Sequence, residues 1–255
     1  VSDIIATNHL ETIYGDDYFF GGGAGYEDYL SEADLLRAQG RRYGELLINH
    51  RPPAVGRVLD VGSAAGFLQA GLADAGWTTT GLEPNGTMVA NARDELGLDT
   101  VMCGLEQAPD LPPFDSVCLI QVIGHFNDLP KAMRALSKLT KPGCICLVEY
   151  WRRDSRIAKI FGPNWHEYSP PSVLHWFSRA SLDNLMQRYG FGIVAKGIPK
   201  KYISLGHAES LLKYKLKNLP GGALATAPLR LLPKTTKIRY PALDLEWRMY
   251  RKEEN

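Results

Sequence analysis

The stretch Arg57 to Ala70, RVLDVGSAAGFLQA, constrains the fold more than any other part of the chain. Val58-Leu59-Asp60-Val61 is a short apolar run rich in β-branched residues, bounded by Gly56 and Gly62, which is the pattern of a buried parallel strand. Gly62 and Gly66 supply a tight turn that lets backbone approach a ligand closely. Phe67-Leu68-Gln69-Ala70 opens a helix whose free N–H groups face back into that turn. Strand, turn and helix in this order make a nucleotide-type site at the carboxyl end of a strand.

The spacing of the turn narrows the ligand. A dinucleotide fingerprint reads G-x-G-x-x-G and seats a pyrophosphate on the helix N-terminus. This chain has Asp60-x-Gly62-x-Ala64-x-Gly66 instead, with alanine in place of the middle glycine. A carboxylate at Asp60 repels a pyrophosphate and attracts a cation. S-adenosylmethionine fits that demand: it has a sulfonium and an ammonium and no phosphate. Glu83 ends the next strand-like run, Thr78 to Leu82, 23 residues after Asp60. An acid there can accept both ribose hydroxyls of an adenosine-type ligand. Asp60, Gly62, Ser63, Ala64, Gly66, Glu83 and Pro84 are therefore the cofactor candidates, with S-adenosyl-L-methionine as the cofactor.

On these residues the chain resembles the class I S-adenosylmethionine-dependent methyltransferases. LDVGSAAG is similar to their first motif and GLEPN to their acidic second motif. FDSVCLIQVIGHF and LTKPGCICLVEY are similar to the fourth and fifth strands. YGDDYFFGGGAGYEDYL and WHEYSPPSVLHWFS resemble a branch that includes quinone-biosynthesis and sugar methyltransferases. The resemblance runs from Tyr14 to Ile203 and is specific for fold and cofactor, much less for substrate. It implies an α/β, Rossmann-like, doubly wound sheet of seven strands, mostly parallel with an antiparallel last strand. It also implies that Tyr18 and Tyr26, on an N-terminal lid, cover the cofactor, and that Leu105 lies in an adenine-facing loop. Gln121 and Gly124 stand where relatives are often acidic, and Gln121 joins the cofactor candidates. The branch usually has histidine two positions after its second proline; this chain has Val173 there, so that role is not carried over.

Taken in order, the chain supports the same reading. Val1 to Leu30 interleaves Tyr14, Tyr18, Phe19, Phe20, Tyr26 and Tyr29 with glycines, which suits either a lid that excludes water or a surface loop docked by its aromatics. Glu32 to His50 reads as a helix. Strands are expected at 58–61, 78–82, 99–103, 114–122, 144–150 and 191–198, alternating with helices, the mark of a parallel sheet. Pro142-Gly143 is read as a helix stop. The last strand is expected at Leu243 to Arg251, with Leu243, Leu245, Trp247, Met249 and Arg251 on one face. The chain then divides as one domain, 1–255: lid and helix at 1–50, core at 51–199 and 241–255, and an insertion at 200–240.

That insertion is basic. From Lys200 to Arg239 there are nine Lys or Arg against the single acid Glu209, on a chain whose net charge is +1. The excess suits a solvated loop or a cover that attracts an anionic, lipid-linked or carrier-bound acceptor, or an anionic membrane surface. No nucleic-acid motif accompanies it. No apolar run approaches a membrane span and Val1 to Leu10 has no signal pattern, so a cytoplasmic location is expected. The four cysteines form neither a disulfide nor a zinc framework, and no metal is expected.

Methyl transfer from a sulfonium needs alignment and dryness, and a hydroxyl nucleophile needs a base as well. His125 is the leading base because it follows the fourth strand, and His166 is second, set among Trp165, Tyr168 and Trp176. The expected activity is methylation of a small molecule, most simply on oxygen, with N- or C-methylation as alternatives. A nicotinamide-dependent enzyme is opposed by Asp60 and Ala64. A non-catalytic scaffold is kept open by Gln121, Gly124 and Val173.

Overall fold

Seven strands pair in the order β3-β2-β1-β4-β5-β9-β6. They are β1 (Arg57–Val61), β2 (Thr78–Leu82), β3 (Thr100–Val101), β4 (Phe114–Ile120), β5 (Thr140–Trp151), β6 (Phe191–Gly197) and β9 (Leu245–Lys252). β9 runs antiparallel between β5 and β6, and the other pairings are parallel. This is the expected sheet. The computed structural model describes residues 13–20, 29–50, 56–200, 202–205, 236–239 and 242–254. The helices are α1 (Asp16–Phe20), α2 (Ala33–Ile48), α3 (Phe67–Asp74), α4 (Gly86–Ala90, continued by a π turn at Asn91–Glu95), α5 (Leu129–Lys138), α6 (Arg156–Phe161) and α7 (Arg179–Arg188).

Alternation along each strand builds one apolar layer on each face. Leu59, Val117, Leu119, Cys146 and Val148 pack with Met133 and Leu136 of α5 and with Leu182 and Met186 of α7. Val58, Cys118, Ile145 and Leu147 pack with Tyr43 and Leu47 of α2 and with Leu68 and Leu72 of α3. Helices α2 and α3 meet backbone to backbone. A Cβ on Gly40 would fall 2.2 Å from the Leu68 carbonyl oxygen, and one on Gly71 would fall 2.1 Å from that of Arg37. This approach sets α2 against the carboxyl end of the sheet, where its N-terminal end contributes Glu32, Leu36 and Gln39 to the cavity described below.

Several boundaries differ from the sequence reading. Pro142-Gly143 lies inside β5, because α5 has already ended at Lys138 and Gly143 takes a left-handed turn (φ +75°) within the strand. β4 ends at Ile120 because Gln121 adopts φ +56°. β9 begins at Leu245, leaving Leu243 exposed, and it is covered on both faces: Leu245 and Met249 are buried, and so are Glu246, Arg248 and Tyr250. A single apolar face was the wrong pattern for a strand between two neighbours. The ends of the basic stretch pair as a small antiparallel sheet, β7 (Tyr202–Ser204) with β8 (Lys237–Arg239). Residues 206–235 lie outside the described residues. No described helix is long and apolar enough to cross a membrane.

Candidate active site

The turn after β1 is held by β2. The N–H groups of Gly62 and Ser63 donate to the Leu82 carbonyl, at 2.8 and 3.1 Å. Gly62 (φ +70°) and Gly66 (φ +83°) take the left-handed backbone expected of them, and Ala64 takes it too (φ +46°). Glu83 secures that strained residue: its Oε2 accepts the Ala64 N–H at 2.9 Å and its Oε1 accepts the Asn85 N–H at 2.8 Å. Asn85 then caps α4 through the Met88 N–H. Its amide also donates to the Tyr14 carbonyl at 2.9 Å and to Asp16 at 3.2 Å. The acid that ends β2 is thus tied to the first described segment of the chain.

A cavity of about 760 Å³ opens at this end of the sheet. Asp60, Gly62, Ser63, Ala64, Glu83, Pro84, Leu105, Gln121 and Tyr18 all line it, as do His125 and His166. Gly66 does not. A Cβ there would come 2.7 Å from Leu98 Cδ1 and 2.9 Å from Ala92 Cβ, so this glycine serves helix packing. Tyr26 lies outside the described residues. Glu106 is buried, lines the cavity and accepts the Asn127 and Asp128 N–H groups.

Burial shapes the charges. It pushes the Asp60 carboxyl up to about 8, with the neighbouring Glu83 charge adding to the rise. It pushes Glu83 up to about 7 against the two backbone N–H groups that favour its ionised form. Asp60 Oδ2 and Ser63 Oγ are buried with no hydrogen-bond partner. Orphaned buried oxygens beside a cavity call for a ligand that donates or carries positive charge. The donor set fits S-adenosylmethionine: Asp60 suits its cationic end and Glu83 its ribose hydroxyls. Six carboxylates (Glu32, Asp60, Glu83, Glu106, Glu167 and Asp244) line the cavity among the described residues, with no Lys or Arg.

The other half of the cavity is aromatic. Trp151, Phe161, Trp165, Tyr202 and His166 line it. His166 meets the Trp151 ring edge-on at 4.7 Å, with Nδ1 3.8 Å from Asp244 and Nε2 3.6 Å from Glu167. Asp244 is buried and accepts the Trp165 indole N–H at 2.8 Å. On the same lining, His125 Nδ1 sits 2.6 Å from the Tyr14 hydroxyl and 2.9 Å from the Ser172 carbonyl. Burial lowers its pKa, and the Ser172 and Gln121 carbonyls oppose that shift, so the ring is neutral near pH 7. His175 does not line the cavity and pairs with the Phe126 carbonyl. Sequence reasoning missed Glu149, Trp151 and Asp244. An acid closing the apolar run CICLVEY was the available signal for Glu149.

Known proteins resemble this chain in sequence and in fold. The family described as "Methyltransferase domain" matches residues 32–196. A ubiquinone biosynthesis O-methyltransferase of Rhodopseudomonas palustris (strain BisB5) is 29% identical over 147 residues, 54% of this chain and 58% of that protein. One from Alkalilimnicola ehrlichii is 27% identical over 148 residues, 49% of this chain and 60% of that protein. The aligned part thus spans under two thirds of the length of these relatives. Among solved structures, the Burkholderia thailandensis 1,6-didemethyltoxoflavin-N1-methyltransferase, with S-adenosylhomocysteine bound, matches with TM-score 0.60 at 15% identity, covering 96% of this chain and 88% of that one. Magnesium protoporphyrin IX methyltransferase from Synechocystis PCC 6803, also with S-adenosylhomocysteine, matches with TM-score 0.59 at 12% identity, covering 96% and 97%. At these identities the structures share the fold.

Proposed function

The chain belongs to the methyltransferase-domain family, whose cofactor is S-adenosylmethionine, and from that premise we propose that it methylates a small aromatic acceptor, on oxygen, in the cavity between Glu83 and His166. The observation that carries this reading is the unpartnered, buried Asp60 Oδ2 beside Glu83 in a cavity that Trp151, Phe161, Trp165 and Tyr202 also line. When bound, the cofactor supplies an activated methyl group. The residues of the chain do the rest. Glu83 and Asp60 bind and orient, Tyr14 and Tyr18 wall off water, and the aromatic half positions the acceptor. Neutral His125 takes the proton of a hydroxyl nucleophile, with Ser172 and Tyr14 fixing its ring. His166 contacts the acceptor. O-methylation is favoured by a base that is neutral near pH 7, and by the activity named for the curated relatives.

The division into lid, core and basic insertion belongs to this proposal, as does a cytoplasmic location. Carboxylates around the cavity weigh against burying an anionic group beside them. The excess of Lys and Arg in residues 200–240 therefore supports an anionic carrier or surface outside the cavity. Lys213, Lys215 and Lys217 changed together to Gln should remove any salt dependence of the acceptor Michaelis constant and of liposome binding. Labelled-methyl transfer to extract fractions tests the activity. For the cofactor, Glu83→Ala should cost about 1.5–3 kcal/mol of binding, and an unchanged dissociation constant by calorimetry would sink the assignment.

A further inference from the structure

Gln121 sits where β4 stops, in left-handed backbone that a residue with a side chain rarely adopts. Its own N–H donates to the Glu149 carbonyl at 2.8 Å. Its side-chain amide is held on both sides. Nε2 donates to Glu149 Oε1 at 2.7 Å, and Oε1 accepts the Trp151 indole N–H at 3.2 Å. An indole only donates, so the amide cannot flip without facing donor to donor. Glu149 is fully buried, and its other oxygen takes the Tyr43 hydroxyl, which in turn accepts from Gln39 at 3.3 Å. The chain of donors runs one way, from Gln39 through Tyr43 to Glu149. A carboxylate at position 121 would confront that of Glu149, which accounts for an amide here.

An amide nitrogen has two hydrogens. Glu149 takes one, and the other has no partner among the described residues, although Gln121 lines the cavity. We propose that Gln121 determines acceptor specificity by presenting this one fixed N–H to a hydrogen-bond-accepting atom of the methyl acceptor, and that Glu149 and Trp151 are positioning residues that set its direction. The inference rests on the methyl-transfer reading above and moves Gln121 from the cofactor to the acceptor. It selects acceptors with a carbonyl oxygen or an unprotonated ring nitrogen beside the nucleophile over acceptors that offer only donors there.

The test uses the full chain loaded with S-adenosylhomocysteine and two aromatic probes of similar size, read by calorimetry. Acetophenone only accepts hydrogen bonds; benzylammonium only donates. In Gln121→Leu the affinity of acetophenone relative to benzylammonium should fall about 3- to 10-fold, with cofactor affinity unchanged. The exchanged pair Q121E/E149Q covers the case in which the leucine variant fails to fold. In that pair the carboxylate moves to position 121, where it accepts from the amide now at position 149 and from Trp151. It then faces the cavity in place of an N–H, so preference should pass to benzylammonium. Trp151→Phe should lose part of the selectivity while keeping cofactor affinity. An unchanged probe ratio in both Gln121 variants overturns the proposal. So does weaker S-adenosylhomocysteine binding in Gln121→Leu, which would return the residue to the cofactor, and so does failure of both probes to bind the loaded wild type. Wild-type protein that binds no S-adenosylmethionine at all overturns the methyl-transfer reading itself.

Discussion

The Tyr14 hydroxyl lies 2.6 Å from Nδ1 of His125, across 111 residues of sequence, and also donates to the Ser172 carbonyl at 2.7 Å. The same tyrosine's carbonyl accepts from Asn85, whose N–H binds Glu83. One residue therefore links the Glu83 carboxylate to the candidate base. If His125 is the base, His125→Ala should lower turnover by about 10²-fold or more with cofactor affinity intact. Tyr14→Phe should lower turnover less and shift the pH profile, since the ring keeps Ser172 alone. Turnover within a few-fold of wild type in His125→Ala would move the base to His166.

Asp60 and Glu83 predict how stability and binding respond to pH. Their folded pKa values, about 8 and about 7, lie above those of free carboxyls, chiefly through burial. At these two carboxyls the folded state thus holds more protons than the unfolded one from about pH 4 to pH 8. Without ligand, their contribution to stability falls as pH rises through that window. His125 and His175, whose pKa values burial lowers, act in the opposite direction around the ordinary histidine range. A cationic ligand needs these groups ionised, so S-adenosylmethionine should bind more tightly at pH 8 than at pH 6.5 and release protons on binding. Calorimetry in two buffers of different ionisation enthalpy measures the release. S-adenosylhomocysteine, without the sulfonium charge, should show a shallower pH dependence. Equal slopes would mean that Asp60 does not sense that charge.

The part of the cavity built by Asp60, Gly62, Ser63, Ala64 and Glu83 was legible in the sequence because its parts are local. A strand, a turn and a helix sit within the run 57–70, and Glu83 ends the next strand. The sheet class was legible too, since alternating strands and helices imply parallel pairing and the resemblance implies an antiparallel last strand. The part around His125 was not. Tyr14, His125 and Ser172 converge from three loops, and no periodicity records where loops meet. Glu149 reads as one more residue of an apolar strand until its partner Gln121 is seen opposite. Glu246 and Arg248 were passed over because an interior strand with charges on one face looks like an edge strand facing water.

Ala64 offers a test of local strain. Its φ of +46° places a side chain in backbone that costs an L-residue roughly 1–2 kcal/mol, while glycine loses about 0.5–1 kcal/mol more entropy on folding. Ala64→Gly should therefore stabilise the protein by up to about 1 kcal/mol. Its N–H would still reach Glu83. A rise of a few degrees in melting temperature with unchanged cofactor affinity is the expected result. A fall would mean that the Ala64 methyl group, on the cavity wall, contributes more by packing than the strain costs.

The largest stability effect is expected at a residue that does not line the cavity. Glu246 is buried on β9 and accepts from Arg248 at 2.8 Å and from Arg179 at 2.5 Å, with Arg152 at 3.4 Å. Arg248 is itself buried and also pairs with Asp183. Burial alone would raise the Glu246 pKa, yet Arg179 and Arg248 hold it below the ordinary carboxylate range. Its contribution is thus present above the unfolded pKa and lost as pH falls through the folded one. Removing one partner of a buried pair costs more than the pair is worth, because the remaining charge stays desolvated. Glu246→Ala should destabilise the protein by about 3–5 kcal/mol, read from denaturant unfolding at pH 7. Glu246→Gln, which keeps the volume and one acceptor oxygen, should lose less. Glu246 does not line the cavity, so whatever fraction of either variant stays folded should bind S-adenosylmethionine as the wild type does. A loss under about 1 kcal/mol, the range of an exposed pair, would show that Asp183 and water solvate Arg248 well enough without it.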